Sequence, residues 1–128
     1  MTTGVRAIVA GHGTVAPGLI SAVEQITGRG DRLVSVTNSG LCLDDIQGLL
    51  GRTLDETGAR VIFTDLPAGS CTMAVRRMLR DRPGVLLVTG VSLSVLLDFV
   101  MQDDPDAQMA ALPAAVERAR SAMTVYGG

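Results

Sequence analysis

The chain has 128 residues, 47% of them hydrophobic and only 2% aromatic, with a formal net charge of −2. That length suits a single domain spanning 1–128, with a core of Val, Leu, Ile, Ala and Met rather than rings. Acids and arginines are interspersed, so there is no basic footprint for nucleic acid, and one tyrosine and two phenylalanines make no stacking platform.

All eleven basic residues are arginine, which excludes a lysine Schiff base and the lysine-bearing phosphate loop of nucleotide-triphosphate enzymes. Cys42 and Cys71 form no CxxC, and one histidine cannot complete an ordinary structural zinc site with them unless carboxylates help. No metal is expected. Two cysteines, no signal peptide at Met1-Thr2-Thr3 and no apolar run of membrane-spanning length together predict a soluble cytoplasmic domain.

Strand and helix patterns then alternate from end to end. Val5 to Ala10 reads as a buried strand that stops at Gly11-His12-Gly13-Thr14, a glycine-flanked turn holding the single histidine. Pro17 is placed to start a helix with Leu19, Ile20, Val23 and Ile26 on one face, ended by Gly28-Arg29-Gly30-Asp31. Arg32 to Val36 is a second strand, Thr37 to Gly40 a loop, and Leu43, Ile46, Leu49, Leu50 and Leu54 mark a second helix closed by Gly58.

Ala59 to Thr64 is the third strand, running into Asp65-Leu66-Pro67-Ala68-Gly69-Ser70. Ser70, Cys71 or Thr72 can cap the next helix, which carries Met73, Val75, Met78 and Leu79 among arginines. Val85 to Thr89 is the fourth strand, Ser92 to Met101 a strongly apolar helix, and Asp103-Asp104-Pro105-Asp106 an acidic break. A last helix runs from about Ala107 to Met123, with Met109, Leu112, Val116 and Ala119 inward and a kink allowed at Pro113. Four βα units predict an α/β fold: an open, mainly parallel sheet of about four strands with helices on both faces. Ala122 to Tyr126 is the one stretch left for an additional C-terminal edge strand.

Right-handed crossovers put the tips of strands one and three on one edge of such a sheet, the edge where open α/β sheets bind ligands. If His12 and Asp65 meet there, a carboxylate accepting the proton of one ring nitrogen fixes the tautomer and leaves the other nitrogen as a nucleophile. Phosphorylation of that nitrogen makes the ring cationic, and the carboxylate stabilises it. The Gly69-Ser70 turn, opening a helix, offers N–H groups and a hydroxyl to phosphate oxygens. Plainer roles stand beside these: Asp65 as a turn cap, Ser70 and Thr14 as helix caps, Cys71 as a small buried residue.

The segment Ile8-Val9-Ala10-Gly11-His12-Gly13, continued by Ala16-Pro17-Gly18-Leu19-Ile20-Ser21-Ala22, resembles the opening of the mannose-family IIA component of the sugar phosphotransferase system. Phe63-Thr64-Asp65-Leu66-Pro67-Ala68-Gly69-Ser70 is similar to that family's second signature, and the likeness in order and spacing runs over essentially the whole chain. The resemblance implies a phosphoryl relay: the phosphocarrier HPr phosphorylates His12 on Nε2, and His12 passes the group to a IIB component and so to a sugar. It implies that Asp65 holds Nδ1–H and that Gly13, Thr14, Gly69 and Ser70 line the phosphate site. It further implies no metal or cofactor, a cytoplasmic homodimer that can exchange its last strand, and contact with the membrane only through IIC and IID proteins. The turn departs from the family pattern at Pro67-Ala68, where relatives often carry a bulky residue and glycine, and at Cys71, where many carry proline. Pro67 brings no N–H to the pocket.

A histidine phosphatase needs a second histidine and an arginine immediately before the first, and neither is present. Gly11, Gly13 and Gly18 do not give the G-x-G-x-x-G spacing of a dinucleotide fold. A regulator on the same fold, receiving phosphate and acting on a partner such as a dihydroxyacetone kinase or a transcription factor, shares the phosphorylatable site and stays open as the alternative.

Overall fold

Four strands lie side by side in the computed structural model, which describes residues 4–128. They are β1 (Ala7–Gly11), β2 (Leu33–Thr37), β3 (Val61–Thr64) and β4 (Leu86–Val88), in the order β2-β1-β3-β4. Every neighbouring pair is parallel. Met1-Thr2-Thr3, on which the expectation of no signal peptide rests, lies outside the described residues. The helices between and after the strands are α1 (Val15–Thr27), α2 (Leu43–Thr57), α3 (Ser70–Met78), α4 (Leu93–Val100) and α5 (Pro105–Ser121). This is the α/β architecture that the alternation predicts.

Successive side chains of a strand point to opposite faces, and that alternation divides the core in two. Ala7 and Val9 of β1, with Val61 and Phe63 of β3, pack beneath α1, α4 and α5 through Val23, Leu96, Phe99 and Leu112. Ile8 and Ala10, with Ile62 and Val36, pack beneath α2 and α3 through Ile46, Leu50, Ala74 and Val75. Both central strands are buried along their whole length, which is why they read as unbroken apolar runs. Phe63 and Phe99 meet edge to face at 5.2 Å, the favoured arrangement for an aromatic pair.

Element ends differ from the sequence reading by one or two residues. β1, β3 and β4 are shorter, β2 is shifted by one residue, and α5 starts at Pro105 because Asp104 caps it, accepting the Ala107 N–H at 2.8 Å. Ser92 caps α4 in the same way, accepting from the Val95 N–H at 3.2 Å. Ile26, expected on the buried face of α1, is 61% exposed, since the core under α1 stops at Val23. The acidic break is a clamp as well as a loop: Asp103 accepts from Arg29 at 2.6 Å and from Arg32 at 2.8 Å. The C-terminal stretch proposed as an edge strand forms none; residues 123–128 leave α5 exposed and unpaired, with Val125 97% exposed. Among the described residues no helix is long and apolar enough to cross a membrane.

Candidate functional site

Strand order decides where chemistry can sit. The chain leaves β1 toward β2 on one side, while β3 lies on the other side of β1, so the two connections diverge just past the carboxyl ends of β1 and β3. Such a divergence opens a crevice between neighbouring loops, and ligands of open α/β sheets bind there. Ala10 is paired with Thr64, so the two strand tips end level and the next residues of each loop face one another. Those residues are the turn at His12 and the turn at Asp65.

They are in contact. Asp65 Oδ2 accepts the His12 main-chain N–H at 2.9 Å and lies 2.8 Å from Nδ1 of the ring. Burial pushes the Asp65 carboxyl up and is the largest single influence, but the hydrogen bonds from the His12 main chain and ring and the charge of His12 together outweigh it. The carboxyl is held below its usual value, so it is ionised at neutral pH and can only accept. Nδ1 must therefore be the donor, and in the neutral ring Nε2 carries a bare lone pair. The His12 side chain is 50% exposed and that of Asp65 15%, so the acid sits behind and the imidazole is presented outward.

Gly11 makes the contact sterically feasible. A Cβ on it would stand 2.5 Å from Val15 Cγ1 and 3.0 Å from Asp65 Oδ2. Gly11 thus clears space for Val15 and Asp65, while Gly13 turns the chain with φ +54° and faces open space.

Beyond the ring lies the start of α3. Gly69 occupies the position before the helix with φ +139°, and a Cβ there would be 3.6 Å from His12 Cε1. The first N–H groups of α3 have no partner within the helix and carry the positive end of its dipole, next to the imidazole. Ser70 is the first helical residue rather than the cap, and its hydroxyl makes no hydrogen bond among the described residues. Thr14 precedes α1 and is exposed, and its side chain does not cap the helix. Both hydroxyls are thus uncommitted, Ser70 beside Gly69 and Thr14 two residues after His12. All six residues expected from the sequence, His12, Gly13, Thr14, Asp65, Gly69 and Ser70, belong to the two facing turns.

Several supporting residues escape the sequence reading. Thr37 donates to the Gly13 carbonyl at 3.1 Å and the Asn38 N–H to the Gly11 carbonyl at 3.2 Å, so the loop after β2 braces the histidine turn. Thr64 and Thr72 join their hydroxyls in the buried layer under Asp65. Threonines at a strand end and in a helix carry no sequence signal for such roles. Cys71 is buried and its thiol is pushed up to about 11 by burial and by the charge of Asp65, so it stays protonated at neutral pH. No group of three metal-ligating side chains occurs among the described residues.

No protein-family model and no curated protein matches the sequence. Solved structures do match the fold. The mannose/sorbose specific IIA subunit of the phosphotransferase system from Enterococcus faecalis superposes with a TM-score of 0.79 at 19% identity, covering 100% of this chain and 97% of its own. The IIA protein associated with the fucose utilization operon of Streptococcus pneumoniae gives 0.80 at 20% identity, over 98% and 96%. A sigma-54 interaction domain protein from Enterococcus faecalis gives 0.70 at 11% identity, over 93% and 95%. With its strand order, its two helical layers and its paired turns at one sheet edge, the chain has the fold of the mannose-type IIA proteins of the phosphotransferase system.

Proposed function

We propose that this chain is a histidine phosphoryl carrier of a sugar phosphotransferase system, with His12 Nε2 as the atom that carries the group. The observation that carries this reading is the 2.8 Å contact between His12 Nδ1 and the ionised Asp65, on a ring that is half exposed. The phosphorus–nitrogen bond of phospho-HPr breaks as a new one forms to Nε2, so no proton need move at the attacking atom. The phosphorylated ring keeps Nδ1–H, becomes cationic and is stabilised by Asp65. Gly69, Ser70, Gly13 and Thr14 meet the phosphate oxygens through N–H groups and hydroxyls, a role metal ions fill elsewhere. An open site suits a donor that is itself a protein, because a protein surface completes the exclusion of water. The group then passes to a IIB component and on to sugar, in the cytoplasm, without metal or cofactor.

Incubation with phosphoenolpyruvate, enzyme I and HPr tests the reading. One acid-labile phosphoryl group per chain is expected; His12→Ala abolishes it, and Asp65→Ala slows it by about 10²-fold by freeing the ring to rotate. Labelling that survives His12→Ala contradicts the assignment.

A second reading has its own support. The likeness to the sigma-54 interaction domain protein favours a regulatory phospho-acceptor on the same fold. Transfer from the labelled chain to a IIB partner separates the two, since a regulator keeps its label.

We also propose a homodimer. Among the described residues the outer edge of β4 pairs with no strand, and a groove of about 650 Å³ runs beside it, lined by Leu87–Gly90 and the end of α5 with Met123. An unpaired edge is a template for a further strand, and the exposed Met123-Thr124-Val125-Tyr126 of a second copy is apolar enough to take it.

A further inference from the structure

We propose that Thr72, with Thr64 behind it, is a positioning residue for the His12–Asp65 pair, its hydroxyl fixing the loop that joins Asp65 to the start of α3. Thr72 Oγ1 lies 2.6 Å from the Leu66 carbonyl and 2.7 Å from Thr64 Oγ1, and both threonines are essentially fully buried. A hydroxyl has one proton and a carbonyl has none to give. The Thr72 proton therefore goes to the Leu66 oxygen, and the Thr64 proton goes to Thr72. Thr64 Oγ1 is itself 3.5 Å from that carbonyl, too long to compete.

The placement gives this chain of two hydrogen bonds its consequence. Thr64 and Leu66 are the residues on either side of Asp65, and Thr72 stands in the first turn of α3. The Thr64 carbonyl is pinned as well, accepting the Val91 N–H at 2.9 Å. Across Leu66–Ala68, among the described residues, the Leu66 carbonyl is the one main-chain group with a hydrogen bond, and Pro67 has no N–H to add another. Thr72 is thus the tie between the acid that orients the imidazole and the helix start that faces it. Without it the loop loses its anchor, and Asp65 Oδ2 loses the alignment that lets it accept two His12 donors at once. Mere satisfaction of two buried hydroxyls would also explain the contacts, but it predicts no effect on His12 or Asp65.

This inference rests on the phosphoryl-carrier reading for its purpose, yet its test uses the free protein, so the two fail separately. NMR of the full chain reads the His12 tautomer from its ring nitrogens and the Asp65 titration from its carboxyl carbon. In the unmodified protein Nδ1–H dominates, and the Thr72 hydroxyl proton exchanges slowly enough to give a resolved signal. Thr72→Val, nearly the same shape without the hydroxyl, is expected to mix the two tautomers and to raise the Asp65 carboxyl toward the usual aspartate value. Thr72→Ser restores both, and Thr64→Val, which spares the Leu66 bond, shifts both in part. Phosphoryl acceptance from phospho-HPr slows by about 10-fold or more in Thr72→Val and recovers in Thr72→Ser. A folded Thr72→Val with tautomer and carboxyl as in the unmodified protein overturns the proposal. If that variant does not fold, an unshifted Thr64→Val or a fast-exchanging Thr72 hydroxyl in the unmodified protein does so. Normal NMR shifts with no phosphoryl acceptance by any form would instead sink the carrier reading alone.

Discussion

At the scale of single residues, the site depends on one carboxylate reaching two donors, and Gly11 is what lets it. Gly11→Ala places a methyl against Val15 and Asp65 at the tip of a buried strand. Overpacking of this kind costs about 1–3 kcal/mol, and relieving it means moving Val15, the nearer contact, and Asp65 with it. Denaturant unfolding should register the loss, and phosphoryl acceptance should fall with it. The same carboxyl gives a pH signature. Its native value lies below its unfolded one, so its contribution to stability is complete above the unfolded value and disappears as pH falls through the native value. Unfolding measured from about pH 5 down to about pH 2 should show the parent losing more stability than Asp65→Asn, which has no proton to take up there. An identical acid limb in both would mean that folding does not shift Asp65. The identity of the pair was legible in the sequence because a lone histidine and an aspartate each end a strand-like run. The purpose of Gly11 was not, since a glycine in a turn gives no sign of what fills the space it leaves.

At the scale of elements, alternation and helical period say which residues face the core, and the structure follows them closely. Ile46 is completely buried in the layer beneath α2, and Ile46→Ala is expected to cost about 2–5 kcal/mol. Ile26 shows where periodicity stops being informative. It continues the stripe of Leu19, Ile20 and Val23, but among the described residues it lies outside the core cluster and is mostly exposed. Ile26→Ala should change stability by less than about 0.5 kcal/mol, measured in the same titration. A period describes one helix, whereas burial also needs a neighbour, and the neighbour's extent is not written in the helix. Arg82 makes the same point from the polar side. It comes last among the arginines at 76, 77, 80 and 82, whose spacing names no partner, yet it pairs with Asp55 on α2 at 2.8 Å and donates to the Gly51 carbonyl.

At the scale of the whole molecule, strand order turns separate turns into a site. Right-handed crossovers require that all four strand tips share an edge, but they leave open which of them are neighbours. The order β2-β1-β3-β4 makes β1 and β3 adjacent, and that is what brings residues 53 positions apart together. The C-terminal stretch was the least legible part, because a short apolar tail becomes a strand only if an edge is offered to it. A chain ended at Ser121 is expected to sediment as a monomer where the full chain sediments as a dimer; equal masses would reject the exchanged-tail proposal.

The nitrogen that carries the phosphoryl group tests the whole account most directly. Ring-nitrogen NMR of the phosphorylated protein should show phosphorus bonded to His12 Nε2, with Nδ1 still protonated toward Asp65. Phosphorus on Nδ1, or on any other side chain, would contradict it.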